Sequence, residues 1–100
     1  MDPERISDFI IAEVVISTAG RDKDELFYVI GEEKEFLLLA NGKDRPLDRP
    51  KRKKRKHGQK VLRSETRVAL KLRSGDKVLN GELRRDLAFL ARDASENLGG

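Results

Sequence analysis

The residues with the clearest chemistry are six consecutive cations, Lys51–Lys56, here called the cationic run. Lysine offers a compact point charge and arginine a planar fork of donors, so the mixture suits phosphate groups better than base edges. If extended, six residues span roughly 20 Å at about 3.3 Å each, long enough to follow several phosphates of a nucleic-acid backbone. A central strand would point these cations at both faces of a sheet, so we expect the run to lie at the surface.

The charges of the chain are unevenly distributed. The 100 residues include 22 Lys and Arg and 18 Asp and Glu, for a formal net charge of +4. Residues 49–60, the basic tract, hold eight of the cations and no acidic residue, so the other 88 residues carry 14 basic and 18 acidic side chains. We therefore expect a polar molecule whose basic tract sets its orientation on a polyanionic partner.

The cationic run has other interpretations. A solvated segment or a nuclear-localisation signal has the same composition. A polybasic membrane anchor would gain only about 1 kcal/mol per cation at an anionic leaflet and needs a second signal such as a lipid. The chain has no Cys and no Gly at position 2 to carry one, so we expect no membrane partner.

Enzymatic constellations are absent from the sequence. The only histidine, His57, lies inside the basic tract, and there is no cysteine to act as a nucleophile. Asp22 and Asp24 flank Lys23 without the further oxygen ligands of a calcium site, so we interpret them as turn residues. We expect no catalytic activity, no cofactor, no metal and no small-molecule substrate.

Length and composition favour one small domain in a reducing compartment. A chain of this length buries about two thirds of its unfolded surface around one core. The absence of cysteine excludes a disulfide framework and fits a cytoplasmic protein. The N-terminal residues Met1–Glu4 have the wrong charge for a signal peptide.

The first two thirds of the chain predict strands. Phe9–Ala19 is rich in β-branched residues, and Gly20–Asp24 has the composition of a turn. Leu26–Ile30 and Phe36–Ala40 are the second and third predicted strands, and Asn41-Gly42 then predicts a tight hairpin turn with a short return strand. Because Phe36–Ala40 is apolar on both faces, one side must meet the sheet interior and the other needs a cover from the C-terminal third.

The C-terminal third predicts helices. Ser64 and Gly75 are the expected cap and terminator of a short helix over Glu65–Arg73, although alternating apolar residues there also permit a strand. A second helix is expected after Asn80. Its apolar face is formed by Leu83, Leu87, Leu90 and Ala94.

Two stretches of the chain are similar to one family. The first is Val14–Lys23. The second comprises Ala40–Lys43, Arg45, Leu47, Pro50 and Lys51–His57. Over about residues 12–60 the chain resembles the KOW-domain RNA-binding proteins of bacteria, which are similar to KOW-containing large-subunit ribosomal proteins of archaea and eukaryotes. Residues 71–90 resemble the C-terminal region of the family less specifically.

The resemblance implies a mainly β protein: a small SH3-like barrel (KOW domain) with a C-terminal helical extension. Its KOW segment, a strand, a glycine-centred turn and the next strand, would contact RNA. Gly20 matches the glycine of the motif, and Arg21 and Lys23 match its charged turn. Asp24 departs from the pattern, because many relatives have a second glycine there, and it adds a negative charge beside the implied RNA surface. The expected organisation is a flexible N-terminus (1–8), the barrel (9–63), the helical extension (64–95) and a flexible tail (96–100).

We therefore predict a non-catalytic protein that binds ribosomal or other structured RNA, with the ribosome as a candidate partner. Tyr28 or Phe89 would offer a stacking face for bases if exposed. The alternative is a protein-interaction adaptor in translation or transcription, for which the basic tract is a non-specific tether. The predicted RNA-contacting residues are Gly20, Arg21, Lys23, Lys43, Arg45, Arg49, Lys51, Arg52, Lys53, Lys54, Arg55, Lys56 and His57.

Overall fold

The computed structural model describes residues 10–99, with side chains through Asp93; the expected flexible N-terminus (1–8) lies outside this range. Within it, five strands form one antiparallel sheet and two helices follow, which confirms the mainly β class and the helical C-terminal region. A single 3-10 turn, Arg55–His57, joins the last two strands. The elements are β1 (Glu13–Ser17), β2 (Leu26–Glu33), β3 (Phe36–Ala40), β4 (Lys51–Lys54), β5 (Gly58–Arg63), α1 (Arg67–Ser74) and α2 (Asn80–Gly99).

The sheet has the strand order β4-β3-β2-β1-β5 and curls back on itself. Gly58 in β5 and Leu37 in β3 are separated by two strands in this order, yet a Cβ atom added to Gly58 would lie 3.1 Å from Leu37 Cδ1. Irregular register between Val14 and Val15 and between Val29 and Gly31 lets the strands bend. The curl brings the first and last strands close to β3 and the edge strand β4.

Most of the central strands β1–β3 is buried on both faces, as the apolar run in β3 predicts. One face lines the inside of the curl with Val15, Phe27, Val29, Leu37 and Leu39. The other face is covered by the helices, and its core consists of Ala12, Val14, Tyr28, Ala40, Val68, Ala69, Leu83, Leu87 and Leu90. The C-terminal third is therefore the expected cover for the sheet.

The helix ends differ from the predicted ones. Thr66, rather than Ser64, caps α1, because its Oγ1 accepts a hydrogen bond from the Ala69 amide at 3.2 Å. Ser64 is buried and its hydroxyl instead forms a hydrogen bond with the Tyr28 hydroxyl at 2.8 Å. The αL conformation of Gly75 ends α1 as predicted. α2 continues through Gly99, into the residues expected to form the tail (96–100).

The Asn41-Gly42 pair does not make a tight hairpin. The predicted short return strand is β4, which pairs antiparallel with β3, but it begins only at Lys51, after a loop over residues 41–50. The Asn41 side chain organises a longer loop, because its Oδ1 accepts from the amides of Lys43 at 2.9 Å and Arg45 at 3.0 Å. A side-chain oxygen that binds local amides competes with hairpin pairing.

The same loop is anchored to the start of α2. Gly42 has φ +76°, and a Cβ atom added to it would overlap the carbonyl oxygen of Asn80 and lie 3.0 Å from the Arg84 amide nitrogen. Asn80 Oδ1 also accepts from the Leu47 amide at 2.8 Å. The glycine is required both for its backbone angle and for this close approach.

Two glycine substitutions separate these two requirements. Gly75 has the similar φ of +78° but no atom within 4 Å of an added Cβ. We expect Gly75→Ala to lower the free energy of unfolding by about 1 kcal/mol through backbone strain, and Gly42→Ala to lower it by about 2–4 kcal/mol because overpacking is added. Urea unfolding of both variants measures the difference. Equal losses would show that the loop does not pack against α2.

Candidate nucleic-acid interface

The cationic run folds as an edge strand and the start of the 3-10 turn. β4 pairs only with β3 among the strands of the sheet, so the run is not a central strand. The expectation that the run lies at the surface holds only in part, because Lys53 is buried. Side chains alternate along a strand. Lys51 and Lys53 therefore share the face of their partners Leu39 and Leu37, which is the face inside the curl.

The inward cations meet Asp22. Lys53 Nζ lies 2.7 Å from Asp22 Oδ1 and 2.8 Å from the Ala19 carbonyl oxygen, and the side chains of Lys53 and Asp22 are each only 8% exposed. Lys51 Nζ lies 3.4 Å from Asp22 Oδ2, and the Ser17 hydroxyl donates to Oδ1 at 2.7 Å. The turn residue Asp22 is thus a buried structural anion.

The pKa of Asp22 reflects two opposing effects. Burial alone would raise the pKa of this carboxyl. The hydrogen bonds from Lys53 and Ser17 and the charges of Lys53 and Lys51 outweigh burial, and they lower the pKa from 3.8 to about 2. Asp22 therefore stays ionised at pH values well above 2.

The Asp22 carboxylate holds the glycine turn, residues 18–25, against the cationic run through its contacts with Lys51 and Lys53. Gly20 has φ +88°, and an added Cβ would lie 3.4 Å from Lys53 Nζ. At its start the turn is also bound to the 3-10 turn, because the Thr18 amide donates to the His57 carbonyl oxygen at 2.9 Å. The structure thus places the turn that contains Gly20, Arg21 and Lys23 beside the run.

The two arginines of the run also have acidic partners. Arg52 Nε lies 3.0 Å from Glu33 Oε1. Arg55 pairs with Glu32, with 2.5 Å between Nη1 and Oε1, and its Nε donates to the Lys34 carbonyl oxygen at 2.8 Å. Four of the six cations are therefore paired with carboxylates of the glycine turn and β2. The expected separation into a basic tract and an acidic remainder is wrong, because folding brings the two into contact.

Lys54 and Lys56 are the cations of the run that have no such partner. Both are exposed, and neither makes an ion pair with any residue in the described part of the chain. The same holds for Arg21 and Lys23 on the glycine turn and for Arg49 ahead of β4. These side chains can bind a phosphate without first breaking an ion pair with a carboxylate.

Of the remaining predicted contacts, Lys43 and Arg45 lie apart from the glycine turn and His57 lies next to it. Lys43 and Arg45 belong to the loop that Gly42 anchors to α2, and Arg45 is half-buried. His57 is half-buried in the 3-10 turn, where its carbonyl oxygen is the acceptor for Thr18. The structure therefore divides the predicted set into a cluster around the glycine turn and a separate pair beside α2.

Two of the aromatic predictions can be assessed. Tyr28 is fully buried, and its hydroxyl donates to the Asp86 carboxylate on α2 and lies 2.8 Å from the Ser64 hydroxyl. Burial and the hydrogen bond to Asp86 raise the pKa of Tyr28 to about 12. Tyr28 is therefore a core residue and not a stacking face, whereas Phe89 is 57% exposed on α2, away from the cationic run in sequence and fold.

Phe36 is the aromatic residue that sequence reasoning missed. It begins β3 as the direct cross-strand partner of Lys54, and the Arg52 guanidinium carbon lies 4.4 Å from the centre of its ring. The period of two along β3 puts Phe36 on the face opposite Leu37 and Leu39, which could have indicated a surface aromatic. The position of Phe36 beside Arg52 and Lys54 follows from the pairing of β3 with β4, which the sequence alone does not reveal.

Two further findings concern the described residues as a whole. In residues 10–93 no three acidic or histidine side chains are placed to hold a metal ion. Neither helix of the described chain is both long enough and apolar enough to cross a membrane.

Removing the Asp22 charge tests the buried contact. We expect Asp22→Asn to lower the free energy of unfolding by about 3 kcal/mol, because the Lys53 ammonium stays buried without a counter-charge. Glu33→Gln is the matched control, since its ion pair with Arg52 is more than half exposed and is worth about 0–0.5 kcal/mol. Urea unfolding at pH 7 gives both values, and a similar small loss for the two variants would contradict the role of Asp22.

The contribution of Asp22 also depends on pH in a defined direction. Because its pKa is lowered on folding, the stabilisation is present above the unfolded value of 3.8 and is lost as pH falls through about 2. We expect the stability gap between the unmodified protein and Asp22→Asn to narrow by about 2 kcal/mol between pH 5 and pH 2. A gap that stays constant over this range in denaturant titrations would contradict the lowered pKa.

The sequence matches no protein-family model, and no curated protein is significantly similar to it. The resemblance to KOW-domain proteins and the role in RNA binding therefore stay predictions. A functional assignment rests on the chemistry that the glycine turn, β4 and the 3-10 turn present together.

Proposed function

We propose that this protein is a small SH3-like barrel of the KOW type with a helical extension, and that it binds structured RNA without catalysing a reaction. The RNA surface is the glycine turn together with β4 and the 3-10 turn. Ribosomal RNA is the candidate ligand that the resemblance adds. Its contacts are mainly to phosphates, which give affinity and position rather than base specificity.

The curl of the sheet supports the barrel. Five antiparallel strands turn far enough for Gly58 in β5 to meet Leu37 in β3, and the inside of the curl is filled with side chains as in other small barrels. Strand β1, the glycine turn and β2 are the strand, turn and strand that a KOW segment requires. The segment lies where the barrel meets the edge strand β4.

The backbone of the glycine turn also fits the resemblance. Gly20 and Asp24 adopt φ +88° and +75°, so both positions have the left-handed conformation that glycine takes most readily. Aspartate is one of the few other residues that tolerate it. The departure at Asp24 therefore changes the charge of the turn and not its shape.

The observation that carries the proposal is that two segments joined through Asp22 carry exposed cations with no carboxylate partner in the described part of the chain. Arg21 and Lys23 are exposed on the glycine turn, and Lys54 and Lys56 are exposed at the end of the run. The buried contacts of Asp22 fix the turn against β4, so these side chains need little reorganisation to meet a phosphate backbone.

Salt titration of RNA binding tests the proposal. If these four cations replace counterions on a structured RNA, log K falls against log salt with a slope of about −3 to −4. We expect the double variant Lys54→Ala, Lys56→Ala to flatten the slope by about 1.5 to 2, and Arg21→Ala with Lys23→Ala to have a similar effect.

The matched control is Lys77→Ala with Arg92→Ala, which removes two exposed cations from the helical region. It should leave the slope within about 0.5 of the unmodified value, since net charge alone acts weakly at a distance in salt. If all three double variants give the same slope, the proposed surface is wrong. Equal affinity for structured and unstructured RNA would favour the adaptor function, in which the tract only tethers.

A further inference from the structure

A hollow of about 430 Å³ lies on the outer side of β4, where the turn between β2 and β3 meets the edge strand. Its volume is within the usual range of small-molecule sites, about 300–1,000 Å³. It is lined by Glu33, Lys34, Glu35, Phe36 and Arg52. The four cations proposed above to bind phosphates, Arg21, Lys23, Lys54 and Lys56, include neither Phe36 nor Arg52.

The hollow offers a flat, oriented stacking surface. The Arg52 guanidinium lies over the Phe36 ring at 4.4 Å, and Glu33 holds its Nε at 3.0 Å. The side chain of Arg52 is still 58% exposed, so its outer face is open to a ligand. Planar guanidinium groups and aromatic rings are the side chains on which nucleic-acid bases stack.

The charges of the lining select an uncharged ligand for this hollow. Two carboxylates and two cations cancel, so a phosphate gains little there. An uncharged heterocycle can stack on Arg52 and donate hydrogen bonds to the carboxylates of Glu33 or Glu35. The Glu35 carboxylate has no hydrogen-bond or ion-pair partner in the described part of the chain.

A second hollow, of about 260 Å³, adjoins the first and shares Glu35 with it. Its other lining residues are Lys54, Arg55 and Lys56, so three cations face one carboxylate. Phe36 and Lys54 are direct cross-strand partners, which places the two hollows side by side across β3 and β4. One hollow suits a base and its neighbour suits a phosphate.

We propose that these two hollows hold one unpaired nucleotide of an RNA strand, with its base on the Arg52–Phe36 stack and its phosphate against Lys54 and Lys56. This inference rests on the proposed RNA-binding function and adds a site for a single-stranded segment to it. A base that stacks on side chains has left its duplex, so a loop, bulge or end supplies it.

The test uses a single-stranded purine tetranucleotide of RNA with one 2-aminopurine, whose fluorescence falls when it stacks. Phe36→Leu removes the ring and keeps an apolar side chain, and Arg52→Lys keeps the charge and removes the planar face. We expect each variant to bind roughly tenfold more weakly, to lose the fluorescence quenching, and to keep the salt slope. Arg52 is exposed, so Arg52→Lys remains informative if Phe36→Leu does not fold.

Three outcomes decide whether the two hollows hold an unpaired nucleotide of RNA. Unchanged affinity and quenching in both variants would overturn the stacking site. A purine mononucleotide that binds as tightly as the tetranucleotide would identify free nucleotides as the ligand and overturn the RNA assignment. A fully paired duplex of the same sequence should give no quenching, and quenching by the duplex would overturn the requirement for an unpaired base.

The proposed RNA-binding function is tested by a different measurement, the salt dependence of binding. If Lys54→Ala with Lys56→Ala leaves the salt slope on structured RNA unchanged, the phosphate surface is wrong. The stacking site fails through 2-aminopurine quenching, which does not depend on that slope. The two failures are therefore distinguishable in the same set of proteins.

Discussion

The buried ion pair between Asp22 and Lys53 is the contact on which the candidate site depends. The alternation of β4 turns the Lys53 side chain into the curl, where an ammonium group without a counter-charge would be very unfavourable. Asp22 can supply that charge only if the glycine turn folds over β4. The carbonyl of Ala19 accepts a hydrogen bond from Lys53, and the hydroxyl of Ser17 donates one to Asp22. A structural requirement of the edge strand thus holds the turn that carries Arg21 and Lys23 against β4.

The pairing also changes the electrostatics inferred from composition. A run of six cations suggests one large positive field, but folding neutralises four of them with carboxylates from the glycine turn and β2. These pairs orient Arg52 and Arg55 and fix the 3-10 turn. The positive field is left to exposed side chains at two places, Lys54 and Lys56 on one segment and Arg21 and Lys23 on the other. A smaller, better-positioned set of cations suits phosphate contacts that specify orientation.

The sequence predicts the strands and helices better than it predicts the contacts between them. Periodicity indicates the first three strands, the two helices and the burial of β3 on both faces, because these follow from local side-chain patterns. The roles of Asp22 and Phe36 depend on which strands pair, so no local pattern reveals them. Asn41 suggests a tight hairpin by composition, yet its side chain organises a longer loop whose glycine packs against α2. Ser64 does not cap α1, because its hydroxyl bonds to the buried hydroxyl of Tyr28, which is distant in sequence.

The central claim is that the glycine turn and the end of the cationic run form one RNA surface because Asp22 joins them. Backbone amide chemical shifts, followed by NMR during titration with a structured RNA, test it most directly. The account predicts that residues 20–24 and 54–57 shift together and most strongly, and that residues 82–92 of α2 shift least. Shifts concentrated in α2, or confined to the run with none in the glycine turn, would contradict it.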